Sequence, residues 1–325
     1  MKSSKKIIIV ILVAILSAVA IFLIANNKET VPLLSNENAD EKAVQLYNYI
    51  ADIQNEYVLS GQQESTWMGS ADYETDFIYD ATGKLPAIKG FDYMNDDFQG
   101  VNQRALSWHE KGGIVTICWH CGSDFSGEWK DCMESTFSEK MLQEGTDEYN
   151  RMIEGMDKAA AALKKLQDKG VPVLWRPFHE FDGTWFWWSK NGNESFKKMW
   201  QIMYDRYTNH WKLNNLIWVL GFSDQGEKSK TWYPGDEYCD IIGADTYTEG
   251  LFSKLYKKMN RMTRAEKPVC LHECGKNPTV SELNKAPFVW FMTWHTEYLT
   301  DNNTEDELKE LYNSELVITL DENKM

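Results

Sequence analysis

"KKLQDKGVPVLWRPFHE", residues 164–180, carries one complete change of backbone state. Its first residues close a helical repeat running over 150–169, with Met152, Met156, Ala159, Leu163 and Leu166 at helical spacing and Gly170 as the stop. The next run, 171–177, is short and apolar and predicts a buried strand. Arg176, His179 and Glu180 follow at once. Helix, glycine stop, buried strand and polar end make up the unit from which parallel α/β sheets are built.

Working outward, the unit recurs along the chain. Strands are expected at 57–61, 86–92, 113–119, 171–177, 216–221, 241–244, 268–271 and 287–293. Further helical patterns lie at 40–53, 196–211 and 251–264. Eight strands alternating with helices predict a single (β/α)8 TIM barrel, whose active site lies at the C-terminal strand ends. A chain of 325 residues, 43% hydrophobic and 13% aromatic, is ample for one such core. Polar or amphipathic residues follow the apolar runs directly: Gln62, Asp92, His120, Glu180, Ser223, Asp245 with Tyr247, Glu273 and Trp294. The longest interruption, 120–148, falls after the third strand and is expected on the active-site face.

Two of these residues point to a reaction. Glu180 and Glu273 are 93 positions apart, three units of 31, which sets them on strands four and seven facing across the barrel mouth. Acetal cleavage needs such a pair, one carboxyl donating a proton to the leaving oxygen and the other attacking or stabilising the anomeric carbon. Trp175, Trp185, Trp187 and Trp188 crowd Glu180. Aromatic walls remove water, raise the carboxyl's pKa and suit an acid working at neutral pH. Arg176 and His272 are expected to help keep Glu273 ionised. A lone Glu after a strand is more often a cap or a solvated loop residue, and it is the pairing that reverses this. Trp187 and Trp188 are expected to pack. Trp185 and Trp294 fit either a sugar platform or the core, and Asp92 and Gln62 fit either a binding role or a plain strand end. His179-Glu180 opens an HExxH pattern, but Gly183 stands where the second histidine is needed, and no G-x-S-x-G elbow occurs.

The net charge of −15 excludes a nucleic-acid partner and charge-driven attachment to an anionic membrane surface. Lys2, Lys5 and Lys6 precede an 18-residue apolar run, 7–24. With Ala18-Val19-Ala20 as a small-x-small site, residues 1–25 are a cleaved signal peptide; uncleaved, 7–24 is a membrane tether. Either way the bulk of the chain is expected outside the cytoplasm, secreted or anchored. Residues 26–40 are expected as a polar linker and 41–325 as the catalytic barrel. Of the six cysteines, Cys118, Cys121, Cys270 and Cys274 lie near His120 and His272, which invites zinc, but they sit on buried-strand patterns where cysteine acts as a small hydrophobe. No metal and no cofactor are expected, and sequence leaves any disulfide pairing open.

At this point the chain resembles glycoside hydrolase family 26, best known for endo-β-1,4-mannanases. "LSGQQE" (59–64), "PAIKGFDY" (86–93) and "GGIVTICWH" (112–120) resemble its first three strands. "WRPFHEFDGTWFWW" (175–188) resembles its acid/base segment, and "IGADTYTEG" (242–250), "KPVCLHECG" (267–275) and "WFMTWHTEY" (290–298) its later strands. The resemblance spans about 59–321. It implies a retaining enzyme with Glu180 as acid/base and Glu273 as nucleophile. His120, His179, Trp185, Tyr247 and Trp294 would line the sugar site, with Asp92 beside them and Arg176 below the carboxylates. Asp182 stands where asparagine or a small residue is commoner, and His272 where a smaller residue is expected. The implied partner is a β-mannan-type polysaccharide or oligosaccharide acted on by a monomer. The alternatives are β-1,3-xylan or mixed-linkage β-glucan, or glycan binding without turnover.

Overall fold

The structure, a computed structural model, describes residues 34–226, 229–262 and 267–324. The expected signal or anchor at 1–25, the linker up to residue 33 and the end of the 251–264 helix lie outside the described residues. Among the described residues, no helix is long and apolar enough to cross a membrane.

Eight parallel strands close on themselves: β1 (Val58–Gln63), β2 (Ile88–Asp92), β3 (Ile114–Cys118), β4 (Val173–Arg176), β5 (Leu216–Ser223), β6 (Ile241–Thr246), β7 (Val269–Cys274) and β8 (Trp290–Thr293). β1 hydrogen-bonds both to β2 and to β8, which shuts the barrel. This is the expected (β/α)8 fold. A ninth strand of two residues, β9 (Val317–Ile318), pairs with β1 and was not anticipated. Nearly every barrel-strand residue is buried because side chains fill the interior while helices cover the outside.

The helices obey the periodicity read from the chain. The first, Glu41–Asp52, starts where Asp40 accepts the Ala43 amide proton at 2.9 Å. The longest among the described residues, Asp147–Gln167, buries Met152, Met156, Ala159, Leu163 and Leu166. The helix expected over 196–211 runs as Gly192–Asp205 and then loosens into a π-helical turn, Arg206–His210. All six cysteines are buried and unpaired.

β4 is shorter than expected. It ends at Arg176, so Glu180 stands four residues past the strand, in a turn. Glu273 is by contrast the penultimate residue of β7.

Candidate active site

The turn after β4 is conformationally costly. Phe178 and Glu180 have φ of 50° and 53°, a left-handed region disfavoured for residues with a Cβ by roughly 1–2 kcal/mol each. Surrounding bonds hold it. The Glu180 amide donates to the Gly221 carbonyl at 2.8 Å, and the Trp188 indole to the His179 carbonyl at 2.9 Å. Asp182 accepts the Ser223 amide at 2.7 Å and the Ser229 hydroxyl at 2.5 Å, so the family departure noted at this position ties the turn to the chain after β5. Trp187 and Trp188 are fully buried and pack, as expected.

The turn presents Glu180 to a cleft of about 550 Å³ at the C-terminal ends of the strands. Asp92, His120, Trp185, Tyr247 and Trp294 line the same cleft. A larger hollow of about 840 Å³, by residues 35–38 and the helix Gly192–Asp205, lies away from the buried carboxyl groups. The Trp185 indole N–H donates to Glu180 Oε2 at 2.8 Å. Its ring lies over Gly183, where any side chain would meet the indole at 2.4 Å. Burial, and then the charge of Glu273, push the Glu180 carboxyl up to about 8; the Trp185 bond opposes them.

Beneath the cleft lie Arg176, His179 and Glu273, all buried. Arg176 donates to Glu273 Oε1 at 2.8 Å, to Gln63 Oε1 at 3.1 Å and, through Nε, to Thr116 at 2.9 Å. The Tyr247 hydroxyl donates to Glu273 Oε2 at 3.3 Å, and His179 Nε2 lies 3.7 Å from Oε1. Burial pushes the Glu273 carboxyl up, and the Arg176 guanidinium opposes it most strongly. Burial, with Glu273 and Glu180 as like charges, holds Asp245 far above the usual carboxylate range. Arg176 bonds Glu273 directly, so the negative charge belongs on Glu273 and the proton on Asp245.

His272 contacts Asp245 and Arg176 more closely than Glu273. Its Nδ1 is 2.5 Å from Asp245 Oδ1 but 4.0 Å from Glu273 Oε1. Arg176 Nη1 lies 3.1 and 3.5 Å from its two ring nitrogens, so the guanidinium spans the ring. A Cβ on Gly221 would sit 2.7 Å from that ring, so only glycine leaves room. Burial, then Arg176, keeps His272 neutral, and it supports Glu273 through Arg176. His179 is neutral too, through burial and then His120.

His120 and Asp92 form an ion pair, Nδ1 to Oδ2 at 2.6 Å, and Asp92 Oδ1 also accepts the His120 amide at 2.9 Å. Burial works against both charges, but their mutual attraction outweighs it, raising His120 and lowering Asp92. Asp92 is thus more than a strand end. Gln62 is the penultimate residue of β1, and its amide donates to the Gln63 and Trp294 carbonyls. Its neighbour Gln63 ends β1, accepts from Arg176 and lines the cleft. Among the described residues, two clusters have metal-ligand spacing, Asp92–Cys118–His120 and His179–Asp245–Glu273. In the first, Asp92 already holds His120; in the second, Arg176 already supplies the cation. Sequence reading also missed three residues that line the cleft: Trp67, in the loop after β1, Trp129, at the start of the short helix Trp129–Glu134, and Tyr298, in the four-residue helix Glu297–Thr300.

The sequence model of Glycosyl hydrolase family 26 matches residues 35–322. A mannan endo-1,4-β-mannosidase of Thermothelomyces thermophilus is 32% identical over 314 residues, covering 89% of this chain and 63% of the relative. Mannan endo-1,4-β-mannosidase B of a Piromyces species is 33% identical over 315 residues, covering 90% and 53%. The chain therefore spans only part of the length of these relatives. The crystal structure of a ruminal GH26 endo-β-1,4-mannanase superposes with a TM-score of 0.84 at 32% identity, covering 91% of this chain and 71% of that one.

Proposed function

The chain belongs to glycosyl hydrolase family 26, and from that premise we propose that it hydrolyses internal β-1,4-mannosidic bonds of mannan, galactomannan or glucomannan by double displacement. The supporting observation is one cleft with two carboxyl groups in opposite environments. Glu180 stays protonated to about pH 8 in a dry aromatic turn, while Glu273 is held as an anion by Arg176. In this reading Glu273 attacks the anomeric carbon and Glu180 protonates the leaving oxygen; Glu180 then takes a proton from the water that releases the sugar. Asp92, His120, His179, Trp185, Tyr247 and Trp294 hold the reacting ring. The names of the relatives support mannan over other β-glycans.

The test is reducing-end release from β-mannan, galactomannan, β-1,3-xylan and mixed-linkage β-glucan. Mannan and galactomannan should be the best substrates; preference for either other glycan would overturn the specificity, and release from none would overturn the reaction. Retention requires carboxyl groups roughly 5–5.5 Å apart, and the first anomer seen by NMR should be β. The Lys-flanked run at 7–24 supports an enzyme working outside the cytoplasm, secreted or tethered, and the reading has it act as a monomer. Fractionation finding the intact chain in the cytosol would oppose the first, and a dimer in solution the second.

A further inference from the structure

The chain leaving β1 and the chain leaving β8 carry neighbouring walls of the cleft. Trp67 follows the first, Trp294 and His295 follow the second, and all three line the cleft. Their rings form one row. Trp67 meets His295 edge-on at 4.8 Å, and His295 lies 4.6 Å from Trp294 with the rings tilted by 38°. Burial pushes His295 down to about 4, so it is a neutral wedge between two indoles.

None of the catalytic steps above uses Glu74, the residue that ties these two exits. It is the second residue of the helix Tyr73–Thr82 and is 1% exposed. Burying a carboxyl group is costly unless hydrogen bonds meet it. Its Oε2 accepts the Ser65 amide at 3.1 Å, and its Oε1 accepts the Ser65 hydroxyl at 2.6 Å and the Thr296 amide at 3.0 Å. Among the described residues, its side-chain hydrogen bonds all run to the two exits. Ser65 stands two residues before Trp67, and Thr296 directly follows His295. Thr296 has φ 52° and ψ −125°, a region open to glycine and strained for a β-branched residue. Such a conformation persists only where its surroundings over-determine it, and the bond from the Thr296 amide to Glu74 supplies that hold. The Thr296 hydroxyl, which donates to Glu297, lies 3.2 Å from His295 Nδ1, so the strained residue also orients the His295 ring.

We propose that Glu74 is a positioning residue for the cleavage reaction. Its carboxyl group ties the β1 and β8 exits together and so holds His295 against the Trp294 ring, which walls the reacting sugar. The proposal rests on the reading of Trp294 as that wall. Glu74 itself lies behind the row of rings and acts through them.

The experiment is a double-mutant cycle in kcat/KM on β-1,4-mannopentaose, measured well below the melting temperature of each variant. The variants are Glu74→Ala, Glu74→Gln, Trp294→Ala and the two doubles. Glu74→Ala should cost about tenfold or more alone, and about twofold or less in the Trp294→Ala background, where the ring it positions is already gone. Equal losses in both backgrounds would overturn the proposal, since a residue that only stabilises the fold does not depend on Trp294. A loss under about twofold for Glu74→Ala alone would overturn it too. Should Glu74→Ala fail to fold, Glu74→Gln carries the same cycle. Glutamine has nearly the same shape but keeps an oxygen for only one of the two amides and turns an N–H on the other. It should cost about threefold or more alone and less than about twofold beside Trp294→Ala, and any other pairing overturns the proposal. Two further results would place the failure elsewhere. Trp294→Ala within about twofold of wild type would show that Trp294 does not wall the reacting ring. No cleavage of mannopentaose by wild type would overturn the mannan reading. Either result overturns the proposal with it.

Discussion

Glu180 and Glu273 are the same chemical group in two settings. Glu180 hangs from a turn with two left-handed residues, against an indole edge, with few polar neighbours. Glu273 sits inside a strand, with Arg176 and Tyr247 on its oxygens and His272 and Asp245 behind Arg176. Dryness keeps the first protonated; a buried cation keeps the second charged. A loop serves the acid because it can carry aromatic side chains on both flanks of the carboxyl. A strand serves the nucleophile because its inward side chain meets Arg176, which reaches it across the barrel interior from β4. Position alone would not separate the roles, since both groups stand at the same rim of the barrel.

The strongest way to break this comparison is to remove each carboxyl in turn. Glu273→Ala should lower kcat/KM by ~10⁴-fold or more on polysaccharide and activated aryl glycoside alike, because the first bond-forming step is gone. Any azide rescue should then proceed by direct displacement and give an inverted glycosyl azide. Glu180→Ala should cost about 10²–10⁴-fold on polysaccharide but much less on the aryl substrate, whose leaving group needs no proton. Azide should restore its turnover with retained configuration. NMR of the two azide products decides the matter, and the opposite pairing would exchange the roles.

How far the chain discloses these settings differs between them. The Glu180 side is local: tryptophans, arginine and acid lie in one stretch of fourteen residues, so its dry character is legible from sequence. The barrel is legible too, because buried strands and helical stripes have distinct periods. The Glu273 floor is not. Gln63, Thr116, Arg176, Asp245 and His272 come from five strands and meet only on closure, so neither the His272–Asp245 pairing nor the Arg176–Gln63 bond is legible in the chain. Strand ends were also blurred, since the run "VLWRPF" stays apolar past the last ladder bond at Arg176. Of the cleft walls, Trp67 lies on an irregular loop and Trp129 opens a helix of only six residues, too short to show a period.

A gentler test of the dry setting uses stability. Glu180 has a folded pKa of about 8 against an ordinary value of 4.5, so the folded state holds its proton more tightly than the unfolded chain. The favourable contribution is full below pH 4.5 and is lost as pH rises through 8. Glu180→Gln cannot titrate. Its melting temperature relative to wild type should therefore climb between pH 4.5 and 8 and level off beyond, by on the order of 2–4 kcal/mol or ~5 °C. A difference independent of pH would mean that Glu180 is solvated and ionised like an ordinary surface acid.

The smallest expected effect is the most discriminating, because two substitutions at one position should move the same quantity in opposite directions. Trp185 acts on Glu180 twice. Its ring excludes water, which raises the carboxyl's pKa, and its N–H donates to Oε2, which lowers it. Trp185→Phe keeps most of the wall and loses the donor. The carboxylate then has one fewer hydrogen bond, and the alkaline limb of kcat/KM should move up by about half a unit to one unit. Trp185→Ala loses the donor as well but opens the turn to water over Gly183. Since burial is the larger of the two influences, that limb should move down, toward the ordinary carboxylate range. Activity on the aryl glycoside of Glu180→Ala, which has no acid to titrate, should lack the limb near pH 8 in every Trp185 background. Upward shifts in both Phe and Ala would show that the indole N–H, and not dryness, sets the acid, and the contrast with Glu273 would then rest on hydrogen bonds at both carboxyl groups.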